Sequence, residues 1–174
     1  MAQAGALRRT YHLTALLTGA RPGELARTPL DNVDVKAYTL TIGNSKAGND
    51  IPIPLSPVIE RALEMAATAR PKRNKDNLIF PGCEQAGHRD DLPARGHALR
   101  RTYKTVAFDC GVPDDLSAFL LGHIPEGMSA KYALRRMLLD GPMLRERQAE
   151  ISAHIVFLLG SDPTLGMAPR SERG

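Results

Sequence analysis

One stretch of this chain stands apart from the helical spacing that dominates most of the rest. Residues 33–55, VDVKAYTLTIGNSKAGNDIPIPL, alternate β-branched and polar side chains around a turn-rich centre. That is the period-two pattern of short, half-buried strands joined by tight turns. Elsewhere apolar residues recur at helical spacing, and the runs close on Gly19, Gly111, Gly122 and Gly141. One brief sheet among helices restricts the fold to mostly α with a small antiparallel β-sheet (α+β). Strands are expected near 32–36, 38–43 and 51–54.

The helices follow from the same reading. Leu7, Tyr11, Leu13, Leu16 and Leu17 predict a helix over 5–17 that stops at Gly19. Ser56 before Pro57 reads as an N-cap followed by proline at the first helical position, opening a helix to about Ala69. RPKRNKDN is a basic turn-forming connection, NLIFPG a short strand ending at Pro81, and 82–95 a loop. Further helices are expected over 97–110, 114–121 and from about Ser129 to Gly141. A last one over 143–159 has Leu144, Ile151, Ile155, Leu158 and Leu159 on its apolar side. The polar segment 160–174 reads as a flexible tail.

A length of 174 residues suits one domain with its own core. Lys and Arg outnumber Asp and Glu by 23 to 19, a net +4, which permits an anionic partner without requiring one. The two cysteines, Cys83 and Cys110, imply no disulfide framework. A zinc site from Cys83, His88, His97 and Cys110 is disfavoured because closely spaced ligand pairs are missing. With no leader and no apolar run of membrane-spanning length, the expectation is a cytoplasmic protein without membrane contact.

On a wheel of about 100° per residue, Leu99, Tyr103, Val106 and Cys110 share one face of the helix 97–110. His97, Arg100, Arg101 and Lys104 lie opposite. Such a ridge is either a solvated basic face or an anion site, since an arginine fork suits two oxygens of one phosphate. His123 follows Gly122 at a helix end, and Tyr132 comes nine residues after it. Taken singly, a surface histidine and a packing tyrosine are the plain readings of these two.

Their order along the chain is more informative. TGARPGEL places Arg21 in a turn after a helix with Glu24 three residues on; NSKAGNDIPIPL places Lys46 in a hairpin turn; HALRRTYKT contains His-x-x-Arg; LLGH precedes Tyr132 at a fixed interval. These four segments resemble, in order and spacing, the boxes of the tyrosine recombinases, the phage-integrase family. The resemblance covers about residues 10–158. It implies that 1–159 form the family's catalytic domain, with the N-terminal core-binding domain absent from the chain.

The resemblance further implies site-specific DNA cleavage and rejoining through a 3′-phosphotyrosyl intermediate, with no cofactor and no metal. Tyr132 would be the nucleophile, Arg21 and Arg100 the transition-state forks, and His97 the proton acceptor. His123 would donate to a phosphate oxygen and Lys46 would be the general acid, ahead of Lys36, which is expected mid-sheet. Glu24 would hold Arg21 or His97 in place, and Arg101 and Lys104 would contact DNA. The partner would be double-stranded DNA, bound by a homotetramer that is monomeric without it. In that assembly 143–159 would swing about Gly141-Pro142 onto a neighbour, the other option being packing on its own domain. A type IB topoisomerase shares the residue set, but LLGH and the nine-residue interval favour a recombinase. An inactive DNA-binding remnant fits less well, because all six catalytic positions are present.

Overall fold

The computed structural model describes residues 2–42, 52–83, 96–121 and 130–160. Its order is α1 (Ala2–Thr18), α2 (Pro22–Ala26), a 3-10 turn (Leu30–Asn32), β1 (Val33–Asp34), β2 (Thr39–Thr41), β3 (Pro52–Pro54), α3 (Pro57–Ala69), α4 (Gly96–Asp109), α5 (Asp114–Leu120) and α6 (Ala130–Leu158). The fold is therefore mostly helical with one three-stranded antiparallel sheet, β1-β2-β3. No helix among the described residues is long and apolar enough to cross a membrane.

α1 is the central helix, packed against α3, α4 and α6. It buries Leu7, Tyr11, Ala15 and Leu17, but also Thr10, Thr14 and Thr18. Those threonines stand four apart, and each hydroxyl donates to the carbonyl one turn earlier, at 3.0, 2.9 and 2.7 Å. A polar stripe is thus satisfied inside its own helix and can face the core without an unpaired group. α3 opens as expected, with Ser56 Oγ accepting from Ile59 N at 3.2 Å and Pro57 in the first turn. Val58, Ile59, Ala62 and Ala66 form its buried face.

In the sheet Leu40 stands opposite both Val33 and Ile53. Pro52 and Pro54 sit on the edge strand β3, where a missing N–H costs no ladder bond. Between β1 and β2, Asp34 Oδ1 accepts from Lys36 N and Ala37 N, both at 2.9 Å. Lys36 is therefore an exposed turn residue and not a mid-sheet one.

Two further expectations are corrected. Residues 78–81 form no strand: Leu78 pairs with Pro29 in an isolated bridge, supported by Ile79 N to Thr28 O at 3.0 Å. α2 ends at Ala26 and the 3-10 turn begins at Leu30, so Thr28 and Pro29 leave no length of extended chain for a longer ladder. The chain also does not break at Gly141-Pro142; α6 runs continuously through Pro142. Proline removes one helical hydrogen bond, but its clash with the preceding Cβ is absent when that residue is glycine. Beyond it, Leu144, Gln148, Ile151, Ser152, Ile155 and Val156 are buried in the protein's own core. The segment 143–159 thus packs in cis, and of its expected stripe only Leu158 and Leu159 lie exposed.

Candidate active site

The turn between α1 and α2 is built around Gly19. Its φ of +63° is a conformation that L side chains adopt rarely. An added Cβ would lie 2.5 Å from Leu121 Cδ2 and 2.8 Å from Tyr103 Cδ1. Only glycine lets the end of α1 sit this close to α4 and the end of α5. Two residues later Arg21 caps α2 in extended geometry, its carbonyl accepting from Glu24 N and Leu25 N at 3.0 Å each. Tyr11 Oη donates to Pro22 O at 2.9 Å and so pins α2 to α1. Arg21 Nη1 reaches Glu24 Oε1 at 2.9 Å, one turn along. That pair is partly exposed and contributes little stability; its effect is to orient the guanidinium.

Arg100 comes to the same place from α4. Its Nη1 donates to Gly19 O at 2.7 Å and its Nη2 to Leu121 O at 2.8 Å. Both carbonyls belong to helix C-termini, those of α1 and α5, where a cation is favoured by the partial negative charge. Burial lowers the Arg100 pKa from its usual value, the nearby Arg21 lowers it further, and Glu24 opposes the shift. An arginine remains cationic under such a shift. The wheel put Arg100 on the solvent face, but it is half-buried at the face's edge and ties three elements together.

Arg21, Glu24 and Arg100 thus converge from two elements 79 positions apart in sequence. Two permanent positive charges held near one carboxylate, with Arg21 open to solvent, are an arrangement chemically able to receive an anion. His97 stands exposed in the first turn of α4, three residues before Arg100. Arg101 and Lys104 are exposed on α4, and Lys104 Nζ lies 3.9 Å from Asp114 Oδ1. Tyr132 falls in the first turn of α6, and its side chain is outside the described part. Lys46 and His123 lie outside the described residues, as does His88 of the disfavoured zinc set. Among the described residues no three His, Cys, Asp or Glu side chains gather as a metal cluster would.

Beneath this site is a network that the sequence reading missed. Tyr103 Oη donates to Gln148 Oε1 at 2.7 Å, and Gln148 Nε2 donates to Leu17 O at 2.9 Å and Ser152 Oγ at 3.2 Å. Ser56 Oγ continues it to Ser152 Oγ at 2.8 Å. All four side chains are buried, so the network registers α6 against α1, α3 and α4. Burial, the dominant cause, pushes the Tyr103 hydroxyl far above the usual tyrosine range, and it acts as a neutral donor. A signal was present: Gln148 interrupts an apolar stripe, four after Leu144 and three before Ile151.

Comparison with known proteins agrees with the boxes. The chain is 30% identical over 161 residues to the prophage integrase IntF of Escherichia coli (strain K12), an alignment covering 84% of this chain and 34% of that protein. No family model matches, and no solved structure matches. The chain is thus similar to a prophage integrase, of the family its motifs resemble. It spans about one third of the length of the curated relative it matches.

Proposed function

We propose that this chain is the catalytic domain, over residues 1–159, of a tyrosine-type site-specific recombinase acting on double-stranded DNA. The observation that carries the reading is the meeting of Arg21 and Arg100 at the Gly19 turn, with Glu24 orienting the first. The kinship with a prophage integrase supports the substrate class.

In this reading the scissile phosphate sits against Arg21 and Arg100. Attack on a phosphodiester builds charge on its non-bridging oxygens, and two fixed guanidinium groups stabilise that charge without reorganising. Tyr132 Oη attacks phosphorus and the bond to the 5′-oxygen breaks, leaving a 3′-phosphotyrosyl link and a 5′-hydroxyl. A phenol with an ordinary pKa of about 10 needs a proton acceptor near neutrality, the role assigned to His97. Lys46 gives the leaving 5′-oxygen its proton, and His123 donates to a non-bridging oxygen. Arg101 and Lys104 contact flanking phosphates. The phosphodiester's energy is kept in the covalent bond, so a DNA 5′-hydroxyl can reverse the step and reseal the strand. Assembly as a tetramer on DNA belongs to the same reading. In the isolated chain 143–159 packs on the protein's own core, so exchange between protomers would require it to leave that position.

The test is trapping on a nicked suicide duplex at low salt. The wild-type chain should form a covalent adduct, and Tyr132→Phe should form none while its helical content is unchanged. An adduct from the Phe variant at wild-type yield would reject Tyr132 as the nucleophile.

A further inference from the structure

The geometry points to Arg145 as a positioning residue that couples the nucleophile-bearing helix to the hairpin bearing the general acid. This inference rests on the reading above, in which Tyr132 and Lys46 have those roles.

The β2–β3 hairpin has its base at Tyr38, just before β2, and Leu55, just after β3. Leu55 N donates to Tyr38 O at 2.8 Å and closes that base. Arg145, on α6, grips both legs: its guanidinium carbon lies 3.5 Å from the centroid of the Tyr38 ring, and its Nε donates to Leu55 O at 3.1 Å. Its Nη2 also donates to Glu60 Oε1 at 3.3 Å, bringing in the first turn of α3. A planar guanidinium makes all three contacts at once, which an ammonium cannot.

The backbone around Tyr38 is unusual for a connection with no other purpose. Tyr38 has a φ of +54°, in the left-handed region that a bulky residue seldom adopts. The Asp34 turn brings the chain there, and the stacked Arg145 keeps the ring in place. A cavity of about 600 Å³ opens beside the clasp. Pro52 and Pro54 line that cavity from the sheet, and Gly141 and Pro142 line it from α6.

Residue 132 lies in the first turn of α6 and residue 145 lies 13 positions on. At the α-helical rise this is about 20 Å along the same element. The hairpin leads from Tyr38 and Leu55 into the segment that holds Lys46. Arg145 therefore sets where the hairpin stands relative to the helix that delivers Tyr132. Displacing the acid from the leaving oxygen by about an ångström slows cleavage without removing any group that touches the phosphate.

The experiment compares single-turnover cleavage by the full chain on two duplexes. They differ only in the 5′-bridging atom of the scissile bond: oxygen, or sulfur, which leaves without a proton. Arg145→Ala and Tyr38→Ala should be slowed about 10- to 100-fold on oxygen and run near wild type on sulfur. Tyr38→Phe keeps the ring and should match wild type on both, whereas Arg145→Lys should behave as Arg145→Ala. Tyr38 is 43% exposed, so its variants carry the test even if Arg145→Ala fails to fold. Equal slowing on both substrates, or wild-type rates on oxygen, would overturn the inference. Lys46→Ala is run alongside. If sulfur does not rescue it, the general-acid reading falls and the clasp with it. If sulfur rescues it but not the Arg145 and Tyr38 variants, only the clasp falls.

Discussion

Gly19 carries more of the site than either arginine beside it. Adding a Cβ there forces both a strained backbone and a clash with the buried, hydrogen-bonded Tyr103 ring, besides a contact with the Leu121 side chain. Gly19→Ala should therefore destabilise the protein by about 2–4 kcal/mol, from the left-handed φ and the overpacking together. Thermal and denaturant melts measure this, and an unchanged midpoint would mean that the turn can shift freely. Tyr103→Phe removes the donor to Gln148 and leaves a buried amide oxygen unpaired, a loss of about 1–3 kcal/mol. His12 is a separate case, on the flank of α1. Its Nε2 is buried without a hydrogen-bond partner, and burial first, then Arg8, lowers its pKa from the usual value. The unfolded chain then binds a proton more readily than the folded one. Stability is full above about pH 6.5 and falls as the pH drops from there through the lowered folded value. His12→Leu should flatten the dependence of the melting midpoint between pH 7.5 and 5.5; an unaltered slope would assign it to other groups.

At the scale of elements, α6 sets the limits on what this domain can exchange with a neighbour. It holds Tyr132 in its first turn, Arg145 at the hairpin base and Gln148 in the core. Truncation after Gly141 removes Leu144, Gln148, Ile151 and Ile155 from the interior, so that variant should fail to fold. A folded truncation that still nicks DNA would mean the segment is dispensable in cis. Pro142→Ala restores a helical N–H at an exposed site in a helix that is already continuous. It should stabilise by about 1–3 kcal/mol. Loss of stability would show that the helix depends on a bend there. The sequence reading stopped a helix at Gly141 because local signals say so; tertiary burial on the far side overrides them, and no local rule contains that information.

Over the whole molecule, what was legible was what is local. The stops at Gly19 and Gly111, the Ser56-Pro57 start and the period-two stretch are set by backbone conformation within a few residues, and they fall where the structure has them, whereas Gly141 stops no helix. The cis packing of α6, the half-burial of Arg100 and the Tyr103–Gln148 network depend on which helices meet, and spacing along one helix cannot reveal that. Arg21 and Arg100 could be paired from sequence only through the resemblance, since 79 residues separate them. Binding to DNA is a property of the whole surface. Contacts to phosphate release counterions, so affinity should fall steeply with salt and differ little between cognate-like and random duplexes. Arg101→Ala should weaken binding alike on both and reduce the salt slope by about 1. A loss confined to one sequence would instead make Arg101 a base-reading residue.

The central claim is that a DNA 3′-phosphate becomes bonded to Tyr132. The most direct measurement is mass spectrometry of the adduct trapped on a suicide duplex, digested with nuclease and then trypsin. Cleavage after Lys131 and after Arg135 releases a short peptide, residues 132–135, that contains one hydroxyl, that of Tyr132. The account predicts a nucleotide 3′-phosphate on that peptide and a free 5′-hydroxyl on the released strand. A modified residue elsewhere, a 5′-linked adduct, or cleavage that yields hydrolysed ends and no adduct would contradict it.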